Sequence, residues 1–322
     1  MRVLVTGVAG FIGSHTAEAL VARGDEVVGV DYGLEGPTGA RQRRDVASLI
    51  AGSRFTLHHL DLRTAALEVL LAEVDAVVHL AALPGVRTSW HDRFADHLAS
   101  NVLVTQRLLD AATRVSVQRV VHASSSSVYG DTSLVRCSEA APTAPHSPYG
   151  VTKLAAEHLC AAYAANHGVP TIALRYFTVY GPRQRPDMAL HRLFEAARTG
   201  APFQLFGDGG QVRDLTAVAD VVVANLAALD VPTAPGTVVN VAGGQPIAMD
   251  VVISHVEAVT GRRIDVRRSA AEAGDVARTG ADTARAWRLL GWAPTVELAH
   301  GLAQQWRWHE SRRPLEVGAR IC

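Results

Sequence analysis

Near the start of the chain, three glycines separate a short apolar run from a longer run that mixes apolar and polar residues. Residues 2–6 read Arg-Val-Leu-Val-Thr, which predicts a buried strand. Gly7, Gly10 and Gly13 follow at once, and residues 14–23 are predicted to be helical. Glycines at such a turn let the backbone approach a pyrophosphate, which binds at the helix N-terminus. This order of elements predicts a dinucleotide-binding site within an α/β fold.

The alternation of strand and helix continues through the first half of the chain. Strands are predicted over residues 26–30, 55–60, 74–80, 119–123 and 171–174, and residues 34–44 are predicted to be a polar loop. A long helix that holds Asn101 is predicted before the strand at 119–123. This alternation predicts a doubly wound parallel (Rossmann) sheet with its ligand at the carboxyl ends of the strands.

An acidic residue, Asp31, ends the second predicted strand, 18 residues after Gly13. A carboxylate at this position accepts hydrogen bonds from the adenosine ribose hydroxyls and repels a 2′-phosphate. Asp31 therefore predicts NAD, rather than NADP, as the cofactor.

Tyr149 and Lys153 lie four residues apart at the start of a predicted helix, so they share one helix face. A cation beside a phenol lowers the pKa of the phenol, which can then take a proton from a sugar hydroxyl. Serines occupy positions 124–127, directly after a central strand, where a substrate would lie. The three residue types together predict a proton-transfer site above a nicotinamide.

The composition limits the partners of the chain. Lys+Arg and Asp+Glu number 31 each, so the formal net charge is zero, and we expect neither a nucleic-acid surface nor a membrane surface. No apolar run approaches the ~20 residues of a membrane span. Cys137, Cys160 and Cys322 lack metal-ligand spacing, so we expect no metal and inert thiols in the cytoplasm.

Further motifs extend over nearly the whole chain. They include Asp61-Leu62, His79-Leu80-Ala81-Ala82, residues 175–182 (Arg-Tyr-Phe-Thr-Val-Tyr-Gly-Pro), residues 206–209 (Phe-Gly-Asp-Gly) and Arg213-Asp214. Together with the glycines, Asp31, Asn101, the serines and Tyr149-x-x-x-Lys153, they resemble the extended short-chain dehydrogenase/reductase family, and more narrowly its nucleotide-sugar epimerases.

The resemblance implies a role for each matching residue. Tyr149 is implied as the base, with Ser125 as the catalytic hydroxyl and Lys153 as the group that also holds the nicotinamide ribose. The implied cofactor-binding residues are Gly7, Gly10, Phe11, Ile12, Gly13, Asp31, Asp61, Leu62, Leu80, Ala81, Ala82, Asn101, Tyr149, Lys153 and Tyr176. The implied substrate-binding residues are Arg87, Ser126, Ser127, Thr178, Arg185, Phe206, Arg213 and Asp275.

The resemblance also implies the division of the chain. Residues 1–175 are expected to form the NAD-binding domain, to which residues 214–242 return with a helix and a strand. Residues 176–213 and 243–322 are expected to form a smaller, interleaved lobe that binds the nucleotide sugar. A homodimer through the helices holding Asn101 and Tyr149 is expected.

The sugar is suggested by the segment from 177 to 189, which looks like that of UDP-glucuronate 4-epimerases. Arg185 in this segment either binds a C6 carboxylate, contacts the diphosphate or is solvated. Related dehydratases carry Asp-Glu where this chain has Ser126 and Ser127, which favours simple epimerisation through a 4-keto sugar, with transient hydride transfer to bound NAD+. The alternatives are a UDP-glucose or UDP-N-acetylglucosamine 4-epimerase and a catalytically silent NAD-binding regulator.

Overall fold

A computed structural model describes residues 1–131, 136–272 and 274–312, with the side chains of residues 36–38 left aside. Cys322 and the end of the predicted lobe lie outside the described residues. The strands, in chain order, are β1 Arg2–Thr6, β2 Glu26–Asp31, β3 Phe55–His59, β4 Ala76–His79, β5 Arg119–Ser125, β6 Thr171–Tyr176, β7 Val179–Tyr180, β8 Phe203–Phe206, β9 Val212–Asp214, β10 Thr216–Ala217, β11 Thr237–Val241, β12 Pro246–Ala248 and β13 Val266–Ser269.

Seven of these strands form one sheet in the order β11-β6-β5-β4-β1-β2-β3, and all of its neighbouring pairs are parallel. The direction of winding reverses between β1 and β4, and ligands of such sheets bind in the crevice at that point. The sheet confirms the predicted doubly wound α/β fold. Three two-stranded sheets, β10-β7, β12-β9 and β13-β8, accompany it.

The helices pack on both faces of the large sheet and also form a separate cluster beyond it. They are α1 Phe11–Arg23, α2 Gly36–Asp45, α3 Ala47–Ile50, α4 Leu67–Ala72, α5 Phe94–His97, α6 Val104–Ala112, α7 Pro148–His167, α8 Ala189–Thr199, α9 Val218–Asp230, α10 Met249–Thr260, α11 Ala284–Leu290 and α12 Leu298–Ser311. A π-helical segment, Leu98–Leu103, joins α5 to α6, and short 3-10 turns occur at Arg87–Ser89, His91–Arg93 and Ser126–Val128. No helix within the described ranges is long and apolar enough to cross a membrane.

Side chains of β1 show how the sheet separates two cores. Val3 and Val5 pack in one cluster with residues of α1 and α9, whereas Leu4 packs in a second with residues of α4 and α6. Successive side chains of a strand point to opposite faces, so a β-branched run buries both sides. A third cluster lies beyond the sheet and joins α8, α10 and α12, with Phe194 stacked on Trp306.

The predicted loop over residues 34–44 is wrong, because Gly36–Asp45 forms helix α2. Its polar composition hid the helix, but Arg43 and Arg44 stand in its last turn, where cations complement the helix dipole. Residues 237–241 form β11, which pairs with β6 at one edge of the large sheet. The first helix begins at Phe11, three residues before its predicted start at residue 14.

Candidate active site

The glycine turn brings β1, β4 and α1 close together. A side-chain carbon on Gly7 would lie 2.9 Å from the backbone of Ala81, and one on Gly13 would lie 2.1 Å from the carbonyl oxygen of Gly7. Gly7 also has a φ of 67°, which favours glycine. The helix begins after Gly10, whose lack of a side chain leaves the first amides of α1 open to an anion. The turn therefore fits a dinucleotide pyrophosphate.

Asp31 lies beside this turn at the end of β2. One carboxylate oxygen accepts a 2.8 Å hydrogen bond from the amide of Ala9, and the other accepts a 2.8 Å bond from the amide of Tyr32. Burial raises the pKa of the Asp31 carboxyl, and these two hydrogen bonds oppose the rise. The two bonds fix the carboxylate where the ribose of NAD is expected, and its remaining lone pairs can accept from ribose hydroxyls.

Further predicted cofactor residues lie after β3 and β4, in the first turn of α1 and at the end of β6. Asp61 forms a 2.7 Å ion pair with Arg63, and Leu62 next to it is buried. After β4, the amide of Ala81 donates to the Thr6 hydroxyl at 3.1 Å, and Leu80 and Ala82 flank it. Phe11 and Ile12 are half-buried in the first turn of α1. The Tyr176 hydroxyl donates to Asn225 at 2.5 Å, and its side chain is buried in the core cluster that includes α1 and α9.

The predicted catalytic residues converge at the ends of α7 and β5. Ser147 caps α7 by accepting a 3.1 Å hydrogen bond from the Gly150 amide. Lys153 Nζ donates to the carbonyl oxygen of Ala123 at 2.8 Å and lies 6.0 Å from the centre of the Tyr149 ring. The Ser125 hydroxyl acts on the Tyr149 phenol by opposing the rise in its pKa. The structure thus brings a hydroxyl, a phenol and an ammonium together.

The charges around Tyr149 differ from those predicted by the spacing of Tyr149 and Lys153. Burial raises the pKa of the Tyr149 phenol, and the positive charge of Arg185 and the hydrogen bond with Ser125 oppose that rise. Burial also lowers the pKa of the Lys153 ammonium to about 8. Arg185, which comes from a distant loop, is therefore a further cation that lowers the pKa of the phenol.

Asn101 holds two parts of the site together. Its amide oxygen accepts from the Leu83 amide at 2.7 Å, and its nitrogen donates to the Leu83 carbonyl and the Thr152 hydroxyl, both at 3.0 Å. Protein groups thus occupy both ends of this buried amide. These bonds fix the loop after β4 against α7, and the cofactor contact of Asn101 stays a prediction.

The predicted substrate residues fall into two groups. At one end, the guanidinium of Arg87 lies 4.0 Å above the Phe206 ring and donates a 2.7 Å bond to Asp275. Burial lowers the pKa of Arg213, and the nearby Asp275 opposes that effect, so Arg213 belongs to the same group. An aromatic face with two arginines and a carboxylate suits a nucleoside diphosphate.

The second group lies nearer the catalytic residues. Arg185 donates two hydrogen bonds to Asp187, of 3.1 and 2.9 Å, while its charge reaches Tyr149. Ser126 and Ser127 form a 3-10 turn directly after Ser125, and the Ser127 hydroxyl lies 3.1 Å from that of Ser125. Thr178 stands between β6 and β7, and its carbonyl accepts from the Thr216 amide at 2.9 Å.

A buried ion pair behind the catalytic residues was not predicted from the sequence. Glu157 and Arg175 are joined by hydrogen bonds of 2.9 and 2.7 Å, and Arg175 also donates to the Tyr129 hydroxyl at 2.8 Å. Glu157 follows Lys153 by four residues, so it continues the helix face of Tyr149 and Lys153. That four-residue spacing was the sequence signal that could have placed Glu157 next to Lys153.

A histidine cluster in the C-terminal lobe was also not predicted. Donor atoms of His191, Glu195 and His309 lie within 4.8 Å of one another. However, Glu195 already binds Arg198 at 2.7 Å and His309 at 2.8 Å. Burial lowers the pKa of His191, and the charges of Arg312 and Arg41 add to this effect. This positive surrounding opposes a cation, so we assign no metal to the cluster.

Comparison with known proteins agrees with the site. Residues 3–242 match the model of the NAD dependent epimerase/dehydratase family. The chain is 43% identical to the "Uncharacterized UDP-glucose epimerase YtcB" of Bacillus subtilis (strain 168), covering 95% of this chain and 96% of the relative. It is 33% identical to the "Probable UDP-glucuronate 4-epimerase" of Rhizobium meliloti (strain 1021), covering 96% and 97%.

A solved structure is similar over almost its entire length. The UDP-glucuronic acid 4-epimerase of Bacillus cereus, in complex with UDP-glucuronic acid and NAD, superposes with a TM-score of 0.92 at 42% identity. The match covers 96% of this chain and 99% of that one. These findings confirm the resemblance on which the predicted enzyme class and cofactor rest. The chain belongs to the NAD dependent epimerase/dehydratase family.

Proposed function

We propose that the protein is a UDP-sugar 4-epimerase that interconverts UDP-glucuronate and UDP-galacturonate with bound NAD. The observation that carries the choice of sugar is the position of Arg185, whose positive charge reaches the phenol of Tyr149. A cation beside the base is suited to a sugar that carries a carboxylate next to the reacting carbon. The relatives from Rhizobium meliloti and Bacillus cereus support the same choice by their names.

The chain supplies the proton transfer. Tyr149 takes the proton of the sugar C4 hydroxyl, and Ser125 bridges the phenol and that hydroxyl. NAD+, held at the glycine turn and Asp31, would supply the acceptor and donor of the C4 hydride, so the reaction would have no net oxidation. Lys153 holds a positive charge near the phenol and so favours its ionised form. Tyr149 gives the proton back when the hydroxyl is restored.

The 4-keto form of a uronate is a β-keto acid, which can lose carbon dioxide. Arg185 is held on one edge by Asp187, and its free edge can bind the C6 carboxylate. A carboxylate fixed in this way stays out of the orientation that releases carbon dioxide. Ser126 and Ser127 supply hydroxyls to the same group and no carboxylate, so elimination of water lacks an acid at these positions.

The nucleotide is assigned to the other end of the crevice. Arg87 and Arg213 bind the diphosphate, Phe206 contacts the base and Asp275 binds the nucleoside ribose. Their clustering supports this assignment, because Arg87 contacts both Phe206 and Asp275. In this proposal residues 1–175 and 214–242 bind NAD, and residues 176–213 and 243–322 bind the nucleotide sugar.

A homodimer is part of the proposal. Large apolar side chains are exposed along α5, the π-helical segment and α7, the helices that hold Asn101 and Tyr149; they are Phe94, Leu98, Leu103 and Val151. Light scattering should give the mass of two chains for the wild type and of one chain for a Leu98→Glu/Val151→Glu variant. A monomeric wild type would end this part of the proposal. A cytoplasmic location is also proposed, since Cys137 and Cys160 are buried and unpaired among the described cysteines.

A neutral sugar is the competing substrate, because the Bacillus subtilis relative is named a UDP-glucose epimerase. Both candidates are tested by incubating the NAD-bound protein with a panel of UDP-sugars and following the products by NMR. We expect UDP-glucuronate to give UDP-galacturonate faster than UDP-glucose gives UDP-galactose. The reverse order would replace the uronate with the neutral hexose. Absence of turnover on the whole panel, with NAD retained, would indicate a silent regulator.

A further inference from the structure

Glu157 continues the line of functional side chains along α7. Tyr149, Lys153 and Glu157 follow one another at four-residue steps, so they lie on one helix face. The Glu157 side chain is 4% exposed. Its carboxylate accepts a hydrogen bond from the Ser124 hydroxyl and two from Arg175, of 2.9 and 2.7 Å. The hydrogen bonds of this carboxylate are therefore made with Ser124 and Arg175, behind the catalytic residues.

The contacts of Glu157 and Lys153 hold consecutive residues of β5. Lys153 donates to the carbonyl of Ala123, and Glu157 accepts from the hydroxyl of Ser124. The next residue is Ser125, the predicted catalytic hydroxyl, which also influences the pKa of the Tyr149 phenol. A change at Glu157 thus shifts the strand end that presents Ser125, although Glu157 itself does not touch the reacting groups.

The charges that face Lys153 come from three elements. His79 on β4 and His122 on β5 are buried, and burial lowers the pKa of His79 to about 3 and that of His122 well below its usual value. Burial raises the pKa of Cys160, on α7, to about 12. These groups are neutral near pH 7, so among the described groups that act on Lys153, Glu157 carries the charge that favours the ammonium.

Arg175 faces the same carboxylate from β6 and is itself positively charged. Its pKa is raised by Glu157, although burial alone would lower it. The ion pair compensates the charge of the Glu157 carboxylate inside the protein. Arg175 thus supports a carboxylate that lies one helical turn after Lys153 on α7.

We propose that Glu157 is a positioning residue of the epimerase reaction, which keeps Lys153 charged beside Tyr149 and holds Ser125 in place through Ser124. The inference rests on the proposed epimerase function. It makes one buried carboxylate responsible for both the charge and the geometry of the site.

The pH dependence of the rate follows from two groups. The reaction needs the Lys153 ammonium and the Tyr149 phenolate. Burial sets the first pKa at about 8 and raises the second above its usual value. Below pH 8 the rate rises with the phenolate fraction. Above pH 8 it levels off, because each gain in phenolate is cancelled by an equal loss of ammonium, until the phenol itself ionises.

The experiment measures kcat/KM against pH for the NAD-bound wild type and a Glu157→Gln variant, with the UDP-sugar that the wild type turns over best. Loss of the Glu157 charge should lower the levelling point, which is the pH at which kcat/KM stops rising, by about one pH unit. The plateau of kcat/KM should fall about ten-fold with it. In acid, where Lys153 is charged in both proteins, the two rates should converge. Glu157→Asp should restore the wild-type levelling point.

Two further variants separate charge from geometry. Ser124→Ala keeps the charge and removes the tether, so the rate should fall at every pH with an unchanged levelling point. Asp220→Asn is the matched control, since Asp220 is also a buried carboxylate. Asp220 lies on α9 and accepts hydrogen bonds from Thr295 and Val296. This control should alter thermal stability and leave the pH profile as it is.

An equal loss of rate at all pH values in Glu157→Gln, with the levelling point unmoved, would overturn the charge role. An unchanged rate in Ser124→Ala would overturn the tether. If Glu157→Gln fails to fold, Glu157→Asp and Ser124→Ala still test the tether, and a shifted levelling point in Glu157→Asp would contradict the charge role. A wild type that turns over no UDP-sugar would instead contradict the proposed function.

Discussion

Lys153 donates a 2.8 Å hydrogen bond from its ammonium group to the carbonyl oxygen of Ala123. This bond holds the ammonium at the end of β5, 6.0 Å from the centre of the Tyr149 ring. Burial in this position lowers the pKa of Lys153 to about 8. A group that must be charged for the reaction thus loses its proton within the range in which enzymes are assayed.

Lys153→Arg should change the form of the pH profile. A guanidinium stays charged throughout the assay range. Where the wild-type kcat/KM stops rising near pH 8, that of the variant should go on rising until Tyr149 ionises, whatever its absolute rate. The measurement is kcat/KM across neutral and alkaline pH. A variant that levels off at the same pH would show that a different group sets the plateau.

Tyr149→Phe should lower the rate roughly 10²–10⁴-fold, because the positioned acid–base group is removed and the ring is kept. NAD should remain bound, which absorbance of the purified protein can check. Tyr163→Phe is the matched control on the same helix, since its hydroxyl only accepts a 2.9 Å bond from Gln106. Near-normal turnover in the Tyr149 variant would place the base elsewhere.

Asp31 should set the preference for NAD over NADP. The wild type should bind NAD far more tightly, because the buried carboxylate repels a 2′-phosphate. Asp31→Asn keeps the shape of the side chain and removes the charge, so the preference should fall by about ten-fold, or ~1.4 kcal/mol. Fluorescence titration with both nucleotides measures this. Equal affinities in the wild type would contradict the role of Asp31.

Arg185→Ala should lower UDP-glucuronate turnover at least about ten-fold, since a charge-assisted pair with the C6 carboxylate is lost. Affinity for UDP should not change, and carbon dioxide should appear among the products. Asp187→Asn, which only loosens Arg185, should have a smaller effect of the same kind. Equal losses of UDP affinity and turnover would make Arg185 a diphosphate ligand.

Local signals in the sequence were sufficient for the sheet and for the glycine turn after β1. The β-branched run of β1 and the glycines after it report the backbone directly, because a strand and a tight turn each depend on a few adjacent residues. Predicted and observed bounds agree at both ends of β1, Arg2–Thr6, and β2 extends the prediction by one residue, to Asp31. Helix α2 was missed because its polar residues show little of the apolar period that predicts helices.

The electrostatics of the site depend on residues that meet only in the folded chain. The spacing of Tyr149 and Lys153 predicted which groups are neighbours, but not that burial governs the pKa of both. Arg185 reaches Tyr149 from a loop beyond β7, and Arg175 reaches Glu157 from β6. Such encounters are set by tertiary packing, so no window of sequence around Tyr149 contains them.

The late position of β11 in the chain affects how the protein is made. During synthesis β6 leaves the ribosome well before residues 237–241, which cover its outer edge. Until they emerge, β6 presents unpaired amide and carbonyl groups, and an open strand edge can pair with other chains. The nascent protein is therefore most prone to aggregate while β7–β10 and α8–α9 are being translated, and chaperones that shield strand edges should matter most in that interval.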